Sequence, residues 1–301
     1  DREIVLGGTK ATTLVEFKAE VASMVPGSGT RVLFLDSKKD VRALAKLLRE
    51  AHPELKILDL HADNTKQHRA LLAQPNLLAG YDVVISTGVL KHGFSVEKMV
   101  ARIYVIACLT EVTVSDTAQA IARFRSVQNP NVRVCMTGGR GSDLPVELDA
   151  IVESAKSKQA ANDVLVSCSP IAWAWVKGDD REPQSDIDRM LLELWALIER
   201  QHRLESRDRV GEFTKVVQGY GWTISRSHEN YDADVVEASK AAQRDAVAEV
   251  VAEDRQAVLD AAPIEIEQYE ELRRETQLTP VERAQVEAHA IRAFFGQEPT
   301  E

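Results

Sequence analysis

Three residues near the middle of the chain have the types and spacing to act on a phosphate: Gln119, Arg123 and Arg125. A helix predicted over residues 115–127 puts Gln119 and Arg123, four apart, on one face, with Arg125 displaced around it. The guanidinium of arginine is planar and permanently charged, and it can reach across an interface to stabilise charge building on a γ-phosphate. In nucleotide hydrolases that effect is worth roughly 10³ to 10⁵ in rate. Upstream, the apolar run Asp82-Val-Val-Ile-Ser-Thr87 empties into Gly-Val-Leu-Lys-His-Gly-Phe-Ser95. Hydroxyls, backbone amides and basic side chains then lie at a strand's carboxyl end, where Thr87, Lys91 and His92 could grip a phosphodiester backbone without reading bases. Gly88 and Gly93 would permit close approach or positive φ.

Ser37, Lys38 and Lys39 repeat this logic after the run Arg31-Val-Leu-Phe-Leu-Asp36, with a hydroxyl and two cations at a helix start. A capped helix with solvated lysines explains them equally well. Asp36 is a carboxylate at a strand end, but nothing supplies a second metal ligand at a fitting spacing. The chain holds no Gly-x-x-x-x-Gly-Lys-[Ser/Thr] and no Asp-Glu pair ending an apolar strand, and Gly27-Ser-Gly29 precedes a strand as a turn. Hydrolysis of ATP by this chain alone is therefore not expected.

The elements that must position these residues alternate in the first half. Strands are predicted at residues 31–36, 55–60, 81–87, 102–109 and 131–137, with helices at 38–51, 65–73 and 115–127 between them. This spacing predicts a parallel sheet with crossover helices, and ligands at the carboxyl ends of its strands. Beyond Gly138-Gly-Arg-Gly141 the pattern turns helical, at residues 144–160, 183–202, 208–220 and 232–262. Residues 163–177 fit a helix or a strand. A last helix opens on Thr279-Pro-Val-Glu282, with threonine as cap and glutamate placed for a capping box. The expected division is 1–142 as an α/β lobe and 143–301 as an all-α helical domain.

At 301 residues and 44% hydrophobic content the chain has material for two domains. It has no apolar run of membrane-spanning length and no apolar leader at its start, so a globular cytoplasmic protein is expected, with no membrane partner. Cys108, Cys135 and Cys168 are widely spaced, and buried thiols are the expectation. The net charge of −10 is unevenly spread: residues 1–140 hold 19 Lys and Arg against 14 Asp and Glu, leaving −15 on the remainder. The basic half could face phosphate, and the acidic half solvent or another protein.

Val32-Leu-Phe-Leu-Asp-Ser37, the stretch from Asp82 to Val96, and Gln119-Ala-Ile-Ala-Arg-Phe-Arg125 resemble motifs IV, V and VI of the second RecA-like lobe of superfamily 2 helicases, closest to the origin-binding group. The usual family pattern has a glycine where this chain has Ala122, a second arginine where it has Ser126, and often an acidic residue where it has Ser95. Trp195-Ala-Leu-Ile-Glu-Arg-Gln-His202, Gly219-Tyr-Gly-Trp-Thr-Ile224, Leu278-Thr-Pro-Val-Glu-Arg283 and Ala293-Phe-Phe-Gly296 resemble the C-terminal part of cyanobacterial-type plasmid replication proteins. The resemblance implies a RecA-like parallel-sheet lobe followed by helices, from a DNA replication initiation protein. It implies Arg123 and Arg125 as arginine fingers, and Gln119, Gly93 and Ser95 near the nucleotide. Ser37, Lys38, Thr87, Gly88, Lys91 and His92 would lie on single-stranded or forked DNA. ATP and Mg²⁺ would be bound mainly by a first lobe absent from this chain, which is thus expected to be a fragment. A replication protein could dock on the acidic helices. Two rivals are a non-motor scaffold that recruits a protein partner, and a glycosyltransferase-like nucleotide-sugar lobe whose arginines bind a diphosphate.

Overall fold

The computed structural model describes residues 2–65, 68–90, 95–108, 112–137, 143–157, 186–227, 231–275 and 278–296. Its centre is a seven-stranded parallel sheet: β1 (Glu3–Leu6), β2 (Arg31–Leu35), β3 (Ile57–Leu60), β4 (Val83–Ser86), β5 (Arg102–Ala107), β6 (Asn131–Met136) and β7 (Thr223–Arg226), in the order β3-β4-β2-β5-β6-β1-β7. All four residues of β4 are buried, as are five of the six in β5. Near-continuous apolar runs of this kind belong to a sheet covered on both faces.

The helices are α1 (Lys10–Ala22), α2 (Lys38–Ala51), α3 (Arg69–Ala73), α4 (Val114–Ala122), α5 (Leu148–Ser157), α6 (Asp186–Gly219), α7 (Ala233–Leu259), α8 (Ile266–Arg274) and α9 (Pro280–Phe295). The parallel α/β sheet followed by helices is the architecture expected from the sequence. The helix over residues 38–51 and the Thr279–Glu282 capping box are found as expected. β1, α1, β7 and α8 are additions. β1 and β7 have four residues each, too few for periodicity to register.

Residues 1–137 and 216–301 form one compact unit and 138–215 a second. The cause is packing. β7 pairs with β1 in register, Glu3 opposite Thr223 through Leu6 opposite Arg226. α7 lies along α2, where Ala43, Ala246 and Val250 are buried together. The acidic side of α7 meets the basic side of α2: Arg42 to Asp254 at 2.5 Å, and Lys46 to Glu249 at 2.9 Å and to Glu253 at 3.0 Å. Part of the charge asymmetry along the chain is therefore resolved within it.

The core of the first unit joins Leu14, Phe17 and Val21 of α1 to Leu33, Leu35, Val83, Ile85, Tyr104 and Ile106 of the sheet. In the second unit, α6 breaks at Asp208 (φ −146°, ψ 78°), at the junction expected between two helices. Asp208 Oδ1 accepts from the amide of Gly211 at 2.8 Å. A Cβ on Gly211 would come within 2.0 Å of Asp208 Oδ2, so glycine makes room for this cap. Arg200, Arg203 and Arg207 donate to the carbonyls of Val146, Pro145 and Leu144, fixing the entry to α5. No described helix is long and apolar enough to cross a membrane. Residues 163–177 and Cys168 lie outside the described residues.

Candidate functional site

α4 begins at Thr113, whose Oγ1 accepts from the Asp116 amide at 3.0 Å. It ends at Arg123, whose amide donates to the carbonyl of Gln119 at 3.0 Å. The expected helix ran to residue 127. It stops early because Phe124 and Val127 form parallel bridges with Val96 and Val100. The amide of Val96 donates to Arg123 O at 2.8 Å, and that of Arg125 to Val96 O at 2.9 Å. Phe124 is fully buried, edge-on to Phe34 at 5.9 Å between centroids. Gln119 and Arg123 thus keep their helical relation, whereas Arg125 leaves the helix on an extended strip tied to the segment after β4.

Arg123 is half-buried and Arg125 exposed. Arg125 Nε donates to Ser95 Oγ at 3.1 Å, and Ser95 donates onward to Glu97 Oε1 at 3.0 Å. A third arginine, unforeseen from the sequence, occupies the same end of α4. The Arg2 guanidinium donates to the carbonyls of Ile121 and Phe124 and stacks 5.1 Å from the centroid of the Trp222 ring. Burial, then the neighbouring charge of Arg125, lower its pKa to about 10, which leaves it protonated at neutral pH. A cation suits this position, where the last carbonyls of a helix carry partial negative charge.

On the other strand ends, the Thr87 amide donates to Leu60 O at 2.9 Å, and Thr87 itself is half-buried. Gly88 opens a short 3₁₀ turn and borders a small cavity of about 30 Å³ that also touches Asp36, Asp116 and Thr117. Asp36 Oδ2 accepts from the Cys108 amide at 2.5 Å. Ser37 and Lys38 both have internal partners: Ser37 caps α2 by accepting from the Asp40 amide at 3.3 Å, and Lys38 Nζ sits 2.6 Å from Asp63 Oδ2. Lys91, His92 and Gly93 lie outside the described residues.

Two clusters are assembled only by the fold. A cavity of about 330 Å³ is lined by Lys38, Asp59, His61, Asp63 and Arg283 among others. Arg283 joins Lys38 on Asp63, at 2.5 Å. His61 Nε2 is 3.3 Å from Asp59 Oδ2, and Arg49 also donates to Asp59. Burial would raise the Asp59 pKa, but hydrogen bonds from His61 and Arg49 and the charge of Arg49 outweigh it and hold the carboxyl well below its usual range. Cys108 Sγ and Cys135 Sγ, far apart in sequence, come within 3.9 Å of each other. The hydrogen bond to Cys135, with burial, pushes the Cys108 thiol far up.

No family model matches the chain, and no curated protein does. Among solved structures it is similar to the C-terminal domain of the DEAD-box protein Dbp5, at 18% identity and a TM-score of 0.33, covering 46% of this chain and 75% of that one. It is similar to Mss116p DEAD-box helicase domain 2 bound to an RNA duplex, at 16% identity and a TM-score of 0.39, covering 69% of this chain and 80% of that one. It is similar also to S. cerevisiae Dbp5 bound to RNA and ADP BeF3, at 16% identity and a TM-score of 0.33. That match covers 65% of this chain and 45% of the other, so this chain spans less than half of it.

Proposed function

We propose that the chain is the second lobe of an ATP-dependent DNA helicase within a replication initiation or origin-binding protein. The observation that carries this is the joining of Ser95 to Arg125, and of Val96 to Arg123 and Phe124, which ties residues 95–96 to the arginine pair at the end of α4. Residues that resemble two separate motifs thereby act as one structural piece. Arg123 completes a nucleotide site across the lobe interface, with Arg125 assisting from its place on Ser95. Gln119, one turn before Arg123, and Ser95 contribute to the nucleotide site, a role the proposal extends to Gly93. A partly exposed guanidinium pair suits donation in trans to ATP and Mg²⁺ held mainly by a first lobe.

Thr87, Gly88, Lys91 and His92 hold one DNA strand by its backbone, with Ser37 and Lys38 at the end of the neighbouring β2. Lys38 reaches DNA only by leaving Asp63, so its share is the smallest. A recruiting role for the acidic helices is less supported, since Glu249, Glu253 and Asp254 of α7 face Arg42 and Lys46. Titration of a fluorescent single-stranded oligonucleotide with the chain at several salt concentrations tests the DNA contacts. Binding should weaken as salt rises, with a log–log slope of about −0.7 per phosphate contacted. Affinity indifferent to salt would contradict backbone contact.

A further inference from the structure

We infer that the turn between β1 and α1, Gly7-Gly8-Thr9-Lys10, binds a phosphate group. The turn follows the carboxyl end of β1, inside the sheet between β6 and β7. Both glycines hold positive φ, 135° and 74°. A Cβ on Gly8 would come within 2.8 Å of Thr12 Oγ1 and 3.1 Å of Arg133 Nη2, so glycine lets the backbone of the turn lie close against these two polar groups. α1 follows at once, capped by Thr9 and with no acidic residue in its first turn. The positive end of a 13-residue helix therefore faces the turn.

The helix end alone would not identify a ligand, but the charge beneath it does. Arg31, Glu20, Arg102, Glu16 and Arg133 form one chain of ion pairs under α1, with successive contacts of 2.9, 2.9, 3.0 and 2.8 Å. Three guanidiniums meet two carboxylates, so the chain carries one positive charge in excess. Its Arg31 end is satisfied, since that side chain donates to the carbonyls of Ser28 and Gly29. At the other end, Arg133 is 2% exposed, its Nη1 is buried without a hydrogen-bond partner, and its Nη2 lies against Gly8. The nearby Lys10 ammonium is already balanced by Asp40 at 2.6 Å. Arg133 keeps its ion pair with Glu16, and a buried donor left without an acceptor is costly. A phosphate over Gly8 offsets the excess charge of the network and meets the Arg133 guanidinium on the side of Nη2. This site shares no residue with Arg123 and Arg125 and stands without the helicase proposal.

The test is titration of inorganic phosphate into the whole chain at constant ionic strength, followed by thermal unfolding and backbone amide chemical shifts. Phosphate should raise Tm by about 2–4 °C near saturation and shift the amides of Gly8, Thr9, Lys10 and Ala11. Stabilisation equalled by chloride, or shifts that miss this turn, would overturn the site. Gly8→Ala should abolish the response, but its positive φ makes it strained. Arg133→Met is therefore the second variant, since it leaves two guanidiniums on two carboxylates. It should weaken phosphate binding at least tenfold, and unchanged binding would overturn the inference. The source of the phosphate follows from competition at the same turn. Displacement by a single-stranded oligonucleotide assigns a nucleic-acid backbone, displacement by ADP a nucleotide, and displacement by neither the free ion.

Discussion

Arg125 donates to Ser95 across 30 residues of sequence, at 3.1 Å, and the strip that carries this bond is held by the backbone pairing of Val96 with Arg123 and Arg125. The side-chain bond is exposed, whereas Val96 and Phe124, which bridge in the backbone pairing, are fully buried. Positioning of the arginines therefore rests on the strip more than on the serine.

That division of labour is measurable. Ser95→Ala should lower stability by less than about 1 kcal/mol, the net worth of one exposed hydrogen bond. Phe124→Ala, which empties a fully buried site against Phe34, should cost about 3–5 kcal/mol. Urea midpoints with unchanged slopes would report both.

Glu16 binds both Arg102 and Arg133, so Glu16→Gln leaves three guanidiniums under α1 with only Glu20 between them. Removing the charge of one buried partner in this way should cost about 3–5 kcal/mol. A loss below 1 kcal/mol in chemical denaturation would show that water screens the network.

Asp59 predicts an acid dependence. Its folded-state pKa lies below the unfolded value near 3.9 because His61 and Arg49 outweigh the effect of burial. Its contribution is fully present above about pH 5 and is lost as pH falls through 3.9 toward the folded value. Asp59→Asn should cost about 2 kcal/mol at neutral pH, and the gap between the two proteins should close toward pH 2. Thermal melts from pH 7 to pH 2 would follow it, and a constant gap would contradict the sign.

The position of α7 and β7 predicts the outcome of truncation. A chain ending at residue 142 loses β7 from the edge of β1 and uncovers Ala43 and Leu47 of α2. It should melt without a cooperative transition, whereas the intact chain should show one. A cooperative melt from residues 1–142 would show that the sheet stands without its C-terminal helices.

Long, apolar and strongly capped elements were legible in the sequence. The run Arg31–Leu35 reads as a strand because its residues are buried on both faces, and α2 and the start of α9 announce themselves through Ser37 and Thr279. What sequence concealed was set by tertiary pairing. The pattern through Val127 is helical, yet Phe124 and Val127 are drawn into bridges with Val96 and Val100. Arg2, Glu16 and Arg133 look like ordinary surface charges until the fold brings Arg2 to the end of α4 and pairs Glu16 with Arg133. The acidic half beyond residue 140 reads as a face for solvent or another protein, and only the fold shows that Glu249 and Asp254 within it meet Lys46 and Arg42 of the same chain. The paired glycines Gly7 and Gly8 before the Thr9 cap are a local signal of a turn, but the buried Arg133 beneath them is set by the fold and is not legible locally.

The central claim is that Arg123 acts on a nucleotide held by another lobe. The most direct measurement is DNA-stimulated ATP hydrolysis by a polypeptide carrying this chain together with its nucleotide-binding lobe, wild type against Arg123→Ala, with DNA binding followed in parallel. The account predicts a fall in turnover of about a hundredfold or more with DNA binding retained. Unchanged turnover would contradict it and leave the chain a scaffold.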